Sequence, residues 1–302
     1  MDDLIRHLAS TYIFPTVMFI VMFGLGLALD TRLIQRTFAR PIPLFTGLAG
    51  QVLLLPLLAF LWASFGPWTS AVALGLFVVS VCPGGTTSNT IVFAMRGDIA
   101  LSVSLTALSS LVTLITIPFF LTAGLSALQG DSVEIAVPIS VILTSLIQMI
   151  LLPVALGMGL RRFAEPIALR VIEPLRKLSL VLLAMIITLS IYNARRFFTA
   201  EIVELFLASA GMVVLVWFAG FVLTRLMKLD LMRQMTIVIE IGVQNTILAI
   251  YLGASVLQSP ELTIAAIMFG LLNYAMVAIV YLVVRKPLKP FQEPPISMKK
   301  SD

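Results

Sequence analysis

The feature that most constrains this chain is a series of long stretches that carry no charged side chain. A helix that crosses a bilayer needs about 20 consecutive, mostly apolar residues. Uncharged stretches run over 7–29, 41–95, 99–130, 135–160, 178–194, 205–224 and 262–284, and another, 234–260, is interrupted only by Glu240. The stretch 41–95 is long enough for two crossings, and the turn at Gly66-Pro67 with the interfacial Trp68 divides it. The sequence therefore predicts nine transmembrane helices.

The distribution of basic residues predicts how these helices are oriented. Only 12% of the residues are charged, against about 25% in soluble domains. If the N-terminus lies outside, every Lys and Arg except Arg6, Arg195 and Arg196 falls in a cytoplasmic segment, as the positive-inside rule requires. The net charge of +5 thus arises from basic residues in the cytoplasmic segments and does not indicate a nucleic-acid partner. We expect a multi-pass protein of the cell inner membrane or plasma membrane, surrounded by lipid, with a cytoplasmic C-terminus.

Several kinds of chemistry are excluded by what the sequence lacks. The chain contains one cysteine, Cys82, and one histidine, His7. A disulfide framework within the chain is therefore excluded, and a zinc site is not expected. The predicted helices contain no His-Glu-x-x-His motif, no Ser–His pair and no pair of acids, so an intramembrane enzyme is not expected.

Two predicted helices contain segments that ordinary transmembrane helices avoid. Residues 82–90 bring Pro83, two glycines and a run of polar residues into the third helix, and residues 240–246 interrupt the eighth. Irregular backbone persists at membrane depth only where it is buried in protein or lines a wet cavity. Each segment runs into the sequence Asn-Thr-Ile, at 89–91 and 245–247, about half the chain apart. Paired broken helices in two halves are typical of an inverted repeat and of a transporter binding site.

Glu240 is the ionisable residue that lies well inside a predicted helix. A charge at the bilayer centre costs about 2.5–3.5 kcal/mol on insertion scales, and no basic residue is predicted at the same depth. The carboxyl group could be protonated, face water or bind a cation. Its expected neighbours favour a cation, because hard cations bind oxygen. These neighbours are Gln51, Ser88, Asn89, Ser102, Thr106, Gln244 and Thr246.

The first broken segment also favours an anionic substrate. A helix that begins inside the protein presents free N–H groups and the positive end of its dipole to an anion. Gly84, Gly85 and Thr86 are expected to form such a surface. One carboxylate from Glu240 and one from a substrate would balance two monovalent cations.

With these features the sequence resembles the bile acid:sodium symporter family, including its bacterial members, over nearly its whole length. The resemblance is carried by Gly24-Leu25-Gly26-Leu27, Gln51 with Pro56, residues 82–89, Arg96-Gly97-Asp98 with Ser102 and Thr106, and residues 240–245. It implies an all-α membrane protein with inverted repeats, two crossing discontinuous helices, a core domain and a panel domain. We expect one transmembrane transporter domain over 1–284, with core helices near 41–124 and 205–284, panel helices near 12–29 and 135–194, and a disordered cytoplasmic tail over 285–302.

The resemblance also implies which residues bind. It suggests a first sodium site from Ser88, Asn89, Ser102, Thr106 and Glu240, and a second from Gln51, Glu240, Gln244 and the carbonyl groups of Ile241 and Val243. Thr86, Asn245 and Asn273 are expected to face the substrate. Two Na⁺ ions would then be the coupling ions, with no other cofactor, and the carrier is expected to be a monomer.

The expected function is the import of a small organic anion, coupled to sodium, by alternating access. Members of the family carry bile acids, pantoate, pyruvate and other organic acids. Two alternatives stay open on the same scaffold. One is a proton-coupled carrier in which Glu240 carries the proton. The other is an efflux carrier that uses Cys82, although a small buried side chain is the favoured interpretation of that cysteine.

Overall fold

The structure, a computed structural model, describes residues 7–29, 41–128, 138–193 and 202–283, with isolated positions between residues 4 and 39. Regular structure in these ranges is helical, apart from one isolated β-bridge. The expected tail, 285–302, lies outside the described residues. The helices are α1 (Ala9–Ala28), α2 (Pro41–Phe65), α3 (Ser70–Ser80), α4 (Thr86–Ala94), α5 (Ile99–Leu128), α6 (Ile139–Phe163), α7 (Glu165–Asn193), α8 (Ile202–Leu226), α9 (Leu231–Gly242), α10 (Thr246–Val256) and α11 (Glu261–Val283).

Within the described residues, seven helices are long and apolar enough to cross a membrane, namely α1, α2, α5, α6, α7, α8 and α11. Large apolar side chains on their outer faces remain exposed, as Ile115 (66%) and Phe218 (64%) illustrate. Such faces are unfavourable in water and are expected next to lipid. The chain is therefore an all-α polytopic membrane protein, as the sequence predicts.

Proline explains two irregular turns inside the long helices. Pro56 in α2 and Pro153 in α6 have no N–H to donate to the preceding turn. In each case a π-helical turn lies just before the proline, at Gly50–Leu54 and at Ile147–Leu151. The extra residue in such a turn accommodates the missing hydrogen bond. In α2 the widened turn contains Gln51.

Both expected breaks separate two short helices. Between α3 and α4, residues 81–85 leave the helical path around Pro83. Between α9 and α10, residues 243–245 do the same after Gly242. The chain continues as a helix on the far side of each break, so each pair of short helices brings a helix end into the middle of the protein.

The helices form two packed groups. Helix α1 packs along α6 and α7, while α3 packs against α11 and α8 packs against α9 and α11. Helices α4 and α5 also contact α9. The second group therefore surrounds both breaks.

Glycine allows the backbones of α1 and α6 to touch. A methyl group built at Gly26 would overlap the carbonyl group of Val154, and one built at Gly157 would overlap the carbonyl oxygen of Phe23. Lipid is as apolar as leucine, so close van der Waals contact through small residues is what holds such a pair together. Gly26 is therefore a packing residue.

Substituting Gly157 by alanine tests this contact. We expect Gly157→Ala to reduce the free energy of unfolding by about 1–3 kcal/mol, because an overfilled contact forces the backbones apart. Gly159→Ala is the matched control on the same helix, since no heavy atom lies within 4 Å of a methyl group there. The measurement is the melting temperature of purified protein in detergent. Equal melting temperatures for the two variants would contradict the close contact.

Candidate functional site

The two breaks cross each other at the centre of the second helix group. Gly84 and Gln244 form an antiparallel bridge, and the backbone N–H of Asn245 donates to the carbonyl of Pro83 at 2.9 Å. Peptide groups of one break thus form hydrogen bonds with peptide groups of the other, which buried peptide groups require. The crossing also brings the N-termini of α4 and α10 close together.

Four of the five residues predicted for a first cation site meet directly beside this crossing. The hydroxyl oxygen of Ser102 lies 2.5 Å from Oε1 of Glu240 and 2.6 Å from Oδ1 of Asn89. The hydroxyl oxygen of Thr106 lies 3.1 Å from Oε2 of Glu240 and 3.2 Å from the same Asn89 oxygen. The fifth, Ser88, donates to the carbonyl of Gly85 at 2.7 Å and lies within reach of the carboxylate. All five lie on α4, α5 and α9.

This cluster places oxygen-bearing side chains around one buried carboxylate. The hydroxyl oxygens of Ser102 and Thr106 each lie between the carboxylate of Glu240 and the amide of Asn89. Glu240 is completely buried, and it has no ion-pair partner among the described residues. A cation or a proton at the centre would compensate the buried charge, since either is attracted to the carboxylate.

Two glutamine side chains approach Glu240 from the other side. Nε2 of Gln51 donates to the backbone carbonyl of Glu240 at 2.7 Å, and Nε2 of Gln244 donates to the carbonyl of Ile241 at 2.7 Å. The Oε1 atoms of Gln51 and Gln244 are buried, and neither has a hydrogen-bond partner within the described part of the chain. Because a buried acceptor without a partner is costly, these two oxygens are suited to a ligand. Val243, the remaining member of the predicted second site, is buried in the break itself.

The three residues predicted to face the substrate occupy different environments. Thr86 is the first residue of α4 and lines a cavity. Asn245 caps α10 by accepting from the N–H of Leu248 at 3.0 Å, while its Nδ2 is buried without a partner among the described residues. Asn273 lies on α11, where it donates to Phe269 and accepts from Trp217 at 2.8 Å. Both amide atoms of Asn273 are thus already bonded within the protein.

A small cavity separates the first helix group from α4. Its volume is about 90 Å³. Pockets for drug-sized ligands are larger, roughly 300–1,000 Å³. The cavity is lined by Val21 and Gly24 of α1, Thr86, Thr87 and Thr90 of α4, Ser179 and Leu183 of α7, and Ile247 of α10.

Sequence reasoning did not single out all of these residues. Thr90 is one turn after Thr86, so their spacing could have placed both on one face of α4. Ser179 could not be found that way, because it lies on α7, outside the broken segments. Cys82 is buried, and its sulfur lies 3.3 Å from the carbonyl of Val78. It is not among the residues that line the cavity.

Comparison with known proteins decides the family. The profile of the "Sodium Bile acid symporter family" matches residues 15–201, which is more than half of the sequence. The chain belongs to the sodium bile acid symporter family. The matched range contains the first break and α5, and it ends before Glu240.

Several known proteins have sequences similar to this chain, at modest identity. The probable sodium/metabolite cotransporter BASS1, chloroplastic, of Arabidopsis thaliana is 29% identical over 241 residues, which are 80% of this chain and 59% of that protein. The sodium-dependent transporter YocS of Bacillus subtilis is 28% identical over 75% of this chain and 69% of its own length. The ileal sodium/bile acid cotransporter of Mus musculus is 28% identical, and the match covers 75% of this chain and 64% of the mouse protein. The matches therefore cover only 59%, 69% and 64% of the length of these three relatives.

A substitution at Gly84 tests how tightly the two breaks pack where they cross. A methyl group at Gly84 would lie 2.9 Å from Nε2 of Gln51 and 2.9 Å from Oε2 of Glu240. We expect Gly84→Ala to lower the free energy of unfolding by about 1–3 kcal/mol, because it displaces buried polar groups. Gly85→Ala is the control, since the nearest atom to its methyl group would be at an ordinary 3.5 Å. Comparable melting temperatures for both variants and the unmodified protein would contradict the tight crossing.

Proposed function

We propose that this chain is a sodium-coupled symporter that imports a small organic anion. The observation that carries the proposal is the oxygen-rich cluster around Glu240, a buried carboxylate with no ion-pair partner among the described residues. A monovalent hard cation fits such a cluster, because its ligands are hydroxyl, amide and carboxylate oxygens. Family membership supports the choice of sodium, since the names of the relatives describe sodium-dependent carriers.

Two sodium ions fit the two sides of Glu240. The first would bind Ser88, Asn89, Ser102, Thr106 and Glu240. The second would bind Gln51, Glu240, Gln244 and the carbonyl groups of Ile241 and Val243. In the second set, the unpartnered Oε1 atoms of Gln51 and Gln244 support the assignment. One carboxylate shared by two cations leaves a net positive charge, which an anionic substrate would neutralise.

The anion would bind where the N-termini of α4 and α10 meet. No side chain caps the N-terminus of α4, so its first N–H groups can bind a carboxylate. Asn245 adds a buried Nδ2 without a partner among the described residues, and Thr86 opens onto the small cavity. The cavity volume of about 90 Å³ favours a small acid such as pyruvate or pantoate over a bile acid. Asn273, the third residue predicted to face the substrate, accepts from Trp217 in this structure, and its contact with the substrate stays a prediction.

Alternating access would follow from movement between the two helix groups. We assign α1, α6 and α7 to a panel and the remaining helices to a core, in one transmembrane domain. A second cavity of about 490 Å³ lies between the same groups near the opposite ends of the helices, where Thr11 and Pro15 of α1 face Tyr251 and Ser255. Cavities on both sides of the crossing suit a binding site that opens to each side in turn. Together α3 with α4, and α9 with α10, would complete nine crossings, with the N-terminus outside and the C-terminus in the cytoplasm.

Proton coupling is the second candidate, because a proton on Glu240 would also neutralise the buried carboxylate. The two candidates differ in which gradient drives uptake. Efflux through Cys82 has less support, since that thiol is buried beside its own helix.

Sodium binding is tested by thermal stability. We expect the melting temperature of the purified protein to be higher in NaCl than in KCl of equal ionic strength, because a ligand at a hundredfold excess over its Kd stabilises the folded state by about 2.7 kcal/mol. Glu240→Gln should abolish the difference between the two salts, since it keeps the size of the side chain and removes its charge. Glu261→Gln, on the first turn of α11 away from the cluster, should retain the difference. A sodium-specific rise that survives in Glu240→Gln would remove Glu240 from the site.

Transport is tested in proteoliposomes with radiolabelled pyruvate, pantoate and a bile acid as probes. We expect an inward sodium gradient to drive accumulation of at least one small acid. Glu240→Gln should reduce that uptake by about a hundredfold or more, because the carboxylate would no longer attract either of the two proposed sodium ions. Accumulation driven by an inward proton gradient without sodium would instead support the proton-coupled carrier.

A further inference from the structure

A cluster at one end of α5 and α9 lies outside the binding residues described above. It consists of Asp98, which precedes α5, together with Arg233 and Thr236 of α9; we call these three residues the 98–236 clasp. The backbone N–H of Asp98 donates to the hydroxyl of Thr236 at 2.9 Å. The carboxylate of Asp98 lies 3.8 Å from Nε of Arg233. The clasp therefore joins two helices through one partly buried hydrogen bond and one partly exposed ion pair.

The backbone around Asp98 is shaped to make this contact. Arg96 has a positive φ of 57°, a conformation that turns the chain sharply after α4. Gly97 then passes so close to α9 that a methyl group there would lie 2.7 Å from the hydroxyl oxygen of Thr236. Asp98 itself caps α5 by accepting from the N–H of Leu101 at 3.0 Å. The start of α5 is thus held against a fixed point on α9.

The clasp lies one helical turn from the proposed first sodium site. Ser102 follows Asp98 by four residues on α5, and Glu240 follows Thr236 by four residues on α9. Four residues advance a helix by about 6 Å. The contact between Asp98 and Thr236 and the contact between Ser102 and Glu240 are therefore two successive links between the same two helices.

We propose that Asp98, Arg233 and Thr236 are positioning residues that set the sodium affinity of the site one turn away. The inference rests on the proposed sodium site. A cation site needs its oxygens at fixed separations, and residues that act through the ligands preserve that geometry. The clasp touches neither the cation nor the substrate. It holds α5 and α9 at the separation that lets Ser102 reach Glu240.

The chain offers a closely matched pair of substitutions. Thr236 is fully buried, and its hydroxyl bonds its own helix at Met232 as well as Asp98. Thr224 on α8 is also fully buried, but among the described residues its hydroxyl bonds only carbonyl groups of its own helix, at Gly220 and Phe221. Thr236→Val and Thr224→Val therefore remove the same atoms at the same burial, and only the first removes a link between helices.

The experiment measures binding of radioactive sodium to the purified full chain, with choline chloride keeping the ionic strength constant. We expect Thr236→Val to raise the Kd for sodium about tenfold, because the N–H of Asp98 loses its buried partner and the helices separate. Thr236→Ser should restore the wild-type Kd, and Thr224→Val should leave it unchanged. Arg233→Gln should raise the Kd about threefold, since a partly exposed ion pair contributes less.

Three outcomes would overturn the inference. One is an unchanged Kd in Thr236→Val. Another is an equal rise in Thr236→Val and Thr224→Val, which would indicate a general loss of packing. If Thr236→Val does not fold, an unchanged Kd in Arg233→Gln, which substitutes a side chain that is 21% exposed, overturns the inference instead. A wild-type protein that binds no sodium would refute the proposed function itself, whereas sodium binding that is insensitive to these substitutions refutes only the clasp.

Discussion

The structure depends on keeping one carboxylate inside an apolar protein without a basic partner in the part of the chain that the structure describes. Removing a carboxylate from water is costly unless other groups replace its hydration. Around Glu240, which lies on α9, that replacement comes from hydroxyl and amide groups of α2, α4 and α5. Four helices therefore pack around a single side chain, because its burial requires contacts from several of them.

The broken helices supply what side chains alone could not. A continuous helix uses its own carbonyl and N–H groups, so it can offer few of them to a ligand. Where α9 ends at Gly242 and α10 begins at Thr246, carbonyl groups become available beside Glu240 and a new helix N-terminus faces the other break. Gly84 lets the two backbones approach, since any side chain there would enter the cluster. Cation ligands and anion ligands can thus lie within a few residues of each other.

Much of this arrangement could be predicted from the sequence, because it follows from the energetic cost of particular residues inside an apolar helix. Proline and glycine in an apolar stretch predict a break, and an acid in such a stretch predicts a site. The contacts between distant segments could not be predicted in this way. The hydrogen bond from Asp98 to Thr236 spans 138 residues, and nothing in either local sequence identifies the partner. The hydrogen bond between Asn273 and Trp217 is of the same kind, because its two residues are 56 positions apart and neither local sequence identifies the other.

The glycine contact between α1 and α6 has a consequence for the lipid surroundings of the protein. The backbones that touch at Gly26 and Gly157 are complementary in shape and attract each other by short-range dispersion. This attraction does not depend on the hydrophobic effect. A change in acyl-chain length or sterol content alters the solvent around such a pair but not the fit within it. The fit between these two helices is therefore set by the polypeptide, whereas the packing and thickness of the surrounding lipid change how strongly the pair associates.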